Sequence, residues 1–114
     1  MYTLNDAKLD CLWEFKSLGL ETPNPLWLDF VIKLIVKDFY KQKFVCDGLL
    51  GNLGLEIDNE GNIPINENFA RDIIINAVLG IYYANVDVDE MNDYAYTLME
   101  VTKEYNDFLM EEQR

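Results

Sequence analysis

Leu4, Ala7, Cys11, Leu12, Phe15 and Leu18 recur every three or four positions, with Asp6, Lys8, Asp10 and Lys16 left between them. That period places the apolar residues on one face of an α-helix. Thr3-Leu4-Asn5-Asp6 has the spacing of a capping box, with Asp standing where Glu or Gln is usual. Gly19 followed by Leu20 has the form of a left-handed stop with its apolar contact, and Pro23 prevents resumption. The reading is a surface helix with one core face.

Asn24-Pro25 opens a second helix, with Asn as cap and Pro at the first helical position. Asp29, Lys33, Lys37 and Lys41 fall four apart in one narrow polar stripe, and the first two can pair in the favourable acid-before-base order. Trp27, Leu28, Phe30, Val31, Leu34, Ile35, Val36 and Phe39 occupy most of the remaining circumference. Such a helix is expected to be mostly buried, at the centre of the fold.

From residue 44 to residue 66 the helical period is lost. Gly48, Gly51 and Gly54 punctuate the segment, Leu55-Glu56-Ile57-Asp58 alternates, and Asn59-Glu60-Gly61 is turn chemistry. Ile63-Pro64-Ile65 can return as a short partner strand, confined to an edge by Pro64. Asn66 then caps a third helix reaching about Asn85, apolar on nearly every side from Ala70 to Tyr82. Asp87 to Asp89 connects it to a fourth, which ends near Glu112. The expected fold is mostly α: a compact four-helix domain spanning residues 1–114, with a small β-hairpin or loop between helices 2 and 3 (α+β if the hairpin forms).

Composition narrows the class. The chain has 114 residues, half of them hydrophobic, with a net charge of −12. That is enough apolar material for one core, so the acidity does not signal disorder. Such a protein should be repelled by nucleic acid and anionic membranes, and should favour basic proteins or cations. The N-terminus lacks the basic and apolar regions of a signal peptide, and no apolar run is long enough to span a bilayer. Cys11 and Cys46 each sit beside apolar residues, as buried thiols do in a reducing compartment. A cytoplasmic location follows from these expectations.

Most catalytic chemistry lacks its residues. There is no histidine, which removes the usual proton shuttle, the Ser-His and Cys-His pairs, and the commonest transition-metal ligand. Gly48-Leu49-Leu50-Gly51-Asn52-Leu53-Gly54 fits neither nucleotide fingerprint, and no Lys-Ser or Lys-Thr follows it. Asp58-Asn59-Glu60-Gly61-Asn62 and Asp87-Val88-Asp89-Glu90 lack the spacing of a calcium loop and suit turn and cap roles better. Neither a metal nor a cofactor is expected, and a non-enzyme is.

Charge is distributed unevenly. Residues 1–55 hold seven acids and six lysines, whereas Glu56 to Arg114 hold fourteen acids against Arg71, Lys103 and Arg114. On the fourth helix Met91, Tyr94, Ala95, Leu98, Thr102, Tyr105 and Leu109 form the core-facing seam. Asp93, Glu100, Glu104, Asp107 and Glu111 fall within about 60° of each other on the opposite side. Successive members after Glu100 are about 4.5–6 Å apart along the axis, comparable with phosphates along one nucleic-acid strand. Asp87, Asp89 and Glu90 continue the charge to the helix start, and Tyr96 adds flat contact area beside it. A plain solvated face explains where these acids lie but not their single sign, because exposed helices ordinarily mix Glu with Lys.

In size and composition the chain resembles the phage-encoded inhibitors of bacterial defence nucleases, anti-CRISPR and anti-restriction proteins among them. The resemblance implies an inhibitor of nucleic-acid-mimic type that covers a basic, nucleic-acid-binding surface of a partner protein or nuclease. The expected contact residues are Asp87, Asp89, Glu90, Asp93, Tyr96, Glu100, Glu104, Asp107 and Glu111. An immunity protein against a toxin nuclease would use the same face. A non-catalytic structural or adaptor subunit, acting as a homodimer, is the alternative of a different class.

Overall fold

Each helix begins on a side chain that satisfies its first backbone donors, groups that otherwise have no partner within the helix. The computed structural model describes residues 1–39 and 57–112. In α1 (Leu4–Ser17) the Thr3 hydroxyl accepts from the Asp6 N–H at 3.1 Å, and the Asp6 carboxylate accepts from the Thr3 N–H at 3.0 Å. In α2 (Pro25–Phe39) Asn24 Oδ1 accepts from the Leu26 N–H at 2.8 Å. In α3 (Glu67–Tyr83) Asn66 Oδ1 accepts from the Asn68 N–H at 2.9 Å. In α4 (Val88–Glu112) Asp87 Oδ1 accepts from the N–H groups of Asp89 and Glu90 at 3.1 and 3.3 Å. The end of α1 is equally explicit. Gly19 takes φ +72°, a left-handed value that a side chain disfavours. Around it the Leu20 N–H reaches Phe15 O at 2.9 Å and the Gly19 N–H reaches Lys16 O at 3.1 Å. These two bonds make a Schellman stop.

The packing has α3 at its centre. It lies against α1, α2 and α4, whereas α4 packs along α3 and has no comparable contact with α1 or α2. Ala70, Ile73, Ile74, Ile75, Val78 and Leu79 of α3 are buried on both sides of the helix. Ala7, Cys11 and Phe15 of α1 and Leu28, Val31, Ile32, Ile35 and Val36 of α2 close over them. Each large aliphatic side chain so buried contributes ~2 kcal/mol against conformational entropy. Cys11 is a free thiol in this core, and burial pushes its pKa up to about 12.

Two expectations need correction here. The apolar α2 is not the centre: Leu26 and Phe30 are 81% and 63% exposed, and Leu34 is exposed with them. Both helices are apolar enough, but only α3 has a neighbour on each side. On α4 the inward seam also differs. Ala95 is exposed, while Val101 and Phe108 pack against the core beside Thr102 and Tyr105.

The connection between α2 and α3 is described only from residue 57. Its Asn59-Glu60-Gly61 turn forms, with the Gly61 N–H on Asp58 O at 3.0 Å and Gly61 at φ +84°. Asp58 holds the turn through its carboxylate, which accepts from the N–H groups of Glu60 and Asn62, both at 2.9 Å. Residues 61–63 pair with the chain start: the Leu4 N–H donates to Gly61 O at 2.7 Å and the Ile63 N–H to Tyr2 O at 3.0 Å. A single antiparallel bridge, Thr3 to Asn62, results. No strand or sheet occurs among the described residues. Leu55 and Glu56 of the expected hairpin, the triple-glycine segment and Cys46 lie outside them. No helix among the described residues is long and apolar enough to cross a membrane.

Candidate functional site: the acidic face of α4

The position of α4 at the edge determines what its side chains can do. One face is used by α3 and the rest faces outward, so residues off the seam project from the molecule. Asp89, Glu90, Asp93, Tyr96, Glu100, Glu104, Asp107 and Glu111 are all exposed, Tyr96 by 65%. Asp87 is exposed too, but its carboxylate is occupied in capping the helix.

These acids are not absorbed into the protein's own electrostatics. Asp93, Glu100, Glu104 and Asp107 make no ion pair among the described residues, although Lys103 lies within a turn of three of them. On the other helices Lys8, Lys33 and Arg71 are paired, whereas Lys16 and Lys37 make no ion pair among the described residues. Lys8 Nζ of α1 meets Asp29 Oδ1 of α2 at 2.7 Å, and Lys33 Nζ meets Asp29 Oδ2 at 2.9 Å. These hydrogen bonds, Lys8 first, hold the Asp29 carboxyl below the usual carboxylate range. Arg71 of α3 reaches Glu14 at 3.5 Å and Asp10 at 3.7 Å on α1. Asp10 also accepts from the Tyr2 hydroxyl at 2.6 Å.

Tyrosines of the same region divide by depth. Tyr105 is buried in the seam, and its hydroxyl accepts from the Asn66 N–H at 3.2 Å. Tyr83 and Tyr94 stack across the α3–α4 packing, with ring centroids 5.6 Å apart and planes 7° from parallel. Burial raises the pKa of both, and the Glu90 carboxylate nearby adds to it. Tyr96 alone of the four stands outward beside the acid row.

Periodicity missed two further features. Met99 and Met110 are exposed, and at 100° per residue they fall beyond the acid row with Tyr96. Methionines in such places conform readily to a partner surface. Their signal was available, since neither fits the core seam. The second feature is an open groove at the C-terminal end of α4, lined in part by Tyr105, Phe108, Leu109 and Glu112.

No cluster of three or more His, Cys, Asp or Glu among the described residues is placed to hold a metal ion. Asp58, in a segment that lacks the spacing of a calcium loop, spends its oxygens on its own turn. What the α4 face can do chemically is present negative charge and flat apolar area at fixed spacing. No protein-family model, curated protein or solved structure matches this chain.

Proposed function

We propose that the protein is an acidic binding protein whose α4 face covers a basic surface of another protein, of the kind that otherwise holds a nucleic-acid backbone. One observation supports this above the others: Asp93, Glu100, Glu104 and Asp107 are exposed in one row and unpaired among the described residues, while Asp10, Glu14 and Asp29 on α1 and α2 are paired with Lys8, Lys33 and Arg71. Like-charged i, i+4 neighbours such as Glu100 and Glu104 each cost a few tenths of a kcal/mol (~0.3) of helix stability. A partner carrying Lys and Arg turns that cost into attraction and speeds encounter. An inhibitor of a defence nuclease and an immunity protein for a toxin nuclease both fit, and they differ only in whose nuclease is covered.

The test is capture from a bacterial lysate, elution along a salt gradient, and competition of the eluted partner by duplex DNA. Binding should weaken steeply with ionic strength and be displaced by DNA. The triple reversal Glu100→Lys, Glu104→Lys, Asp107→Lys should abolish it with helix content unchanged. Capture that survives the reversal rules this reading out.

A homodimeric adaptor is the second reading, supported by the exposed Leu26, Phe30 and Leu34 on one stripe of α2. Self-association there would persist or strengthen in high salt. Light scattering at low and high ionic strength distinguishes the two.

A further inference from the structure

α4 is longer than the helix it packs against. The hydrogen bond from the Asn66 N–H to the Tyr105 hydroxyl places Tyr105 level with the start of α3. Residues 106–112 run on for about 10 Å past Tyr105, with only the first turn of α3 beside them, where the Phe69 and Phe108 ring centroids are 5.1 Å apart. Beside this stretch lie the loop residues 63–66, Glu67 at the start of α3, and Met1, and between them is an open groove of about 670 Å³. Its apolar lining is the half-buried Phe108 and Leu109, over the almost fully buried Ile63 and Ile65. Among the described residues its charged side chains are Glu67 and Glu112, both exposed. The Met1 α-amino group lies 3.4 Å from Glu67, which leaves Glu112 as the acid on the α4 side.

The groove borders the acid row along one edge, at Phe108. Phe108 is four residues after Glu104 and four before Glu112, so it lies between those two acids, on the core side of the row. A segment that follows the row toward the C-terminal end of α4 reaches the groove at Phe108.

We propose that this groove receives one large apolar side chain of a basic partner segment, with Lys or Arg on either side of it meeting Glu112 and Glu104. The inference rests on the basic-partner reading of α4 and names the second half of the same interface. Charge decides between occupants. A second copy of this chain would bring another net −12 to an acidic rim, and nucleic acid or an anionic membrane would be repelled in the same way. An apolar anchor among basic residues satisfies both the walls and the rim, as interface anchors commonly do.

The test uses two synthetic heptapeptides and the full chain: six basic residues around a central tryptophan, and its twin with central serine. Backbone and methyl NMR report where each binds, and fluorescence titration reports how tightly. The tryptophan peptide should bind about tenfold more tightly than its twin, the scale expected for burying one aromatic side chain. It alone should shift the methyls of Ile63, Ile65 and Leu109, while both peptides shift the amides of Glu100, Glu104 and Asp107. Glu112→Lys, an exposed change that leaves the apolar walls intact, should reduce the advantage of the tryptophan peptide. Equal affinities without methyl shifts overturn the groove and leave the acid row standing. Groove shifts without shifts along the row uphold the groove and overturn the row. Binding of neither peptide overturns both.

Discussion

Opposite charges meet across the packing of α1, α2 and α3, whereas like charges lie side by side along α4. Lys8 and Asp29 tie α1 to α2, and Arg71 ties α3 to α1 through Asp10 and Glu14. There the ionic groups help to hold helices in register, each pair worth up to about 1 kcal/mol at such partly exposed sites. On α4 the same residue types make no such ties at Asp93, Glu100, Glu104 or Asp107 among the described residues. The difference teaches where stability and surface chemistry have been separated. α3 carries the cohesion through burial, and α4 needs only one face of its own to stay attached.

The largest test of that separation is a cavity in the centre. Ile74→Ala, at a fully buried position of α3, should cost about 3–4 kcal/mol in urea unfolding. Glu104→Ala on the outer face of α4 should change stability by less than about 0.5 kcal/mol. Similar losses at the two positions would show that α4 is not an attached edge but part of the centre.

Acid pH tests the paired side. Asp29 is held below its unfolded pKa by Lys8 and Lys33. Its contribution is therefore present above about pH 4 and is lost as pH falls through the folded value. Asp29→Asn should destabilise the protein by up to about 1 kcal/mol at neutral pH and flatten the acid side of the stability curve. Thermal melts between pH 2 and 7 would reveal it; an unchanged slope breaks the assignment.

Thr102 is a smaller case within the α3–α4 seam. It is fully buried, and its hydroxyl finds no hydrogen-bond partner among the described residues. Thr102→Val keeps the shape and removes the unsatisfied group, so it should stabilise by about 1 kcal/mol. The smallest effect has the most to say about function. Glu104→Lys places a base four residues after Glu100 and toward the negative end of the helix. It should raise stability by about 0.3–0.5 kcal/mol while weakening capture of a basic partner. A gain in stability accompanied by a loss of binding is the signature of a surface shaped for something other than folding.

What was legible in the sequence is what depends on near neighbours. The capping residues Thr3, Asn24 and Asn66, the Gly19 stop, the Asp29–Lys33 pair and most of the α4 seam are set within one or two helical turns. The rank of the helices was not legible. α2 and α3 are both strongly apolar, and only tertiary packing gives α3 three neighbours and leaves Phe30 outside. Nor could local pattern find that the Ile63 N–H bonds to Tyr2 O, sixty-one residues earlier. The groove is hidden for the same reason. It exists because Tyr105 aligns with Asn66, a match between residues far apart in the chain that sets how much of α4 lies beside the loop residues 63–66.

The bridge between Thr3 and Asn62 has a kinetic consequence. Its bonds join Leu4 to Gly61 and Tyr2 to Ile63, so about half the chain must be brought back on itself before they can form. The α3–α4 hairpin requires only the short turn after Tyr83 to close. Loop-closure entropy places such a hairpin early in folding and the bridge late. In reverse, the bridge should be among the first features to open, and amide exchange at Leu4 and Ile63 should run ahead of exchange at Ile74 and Val78.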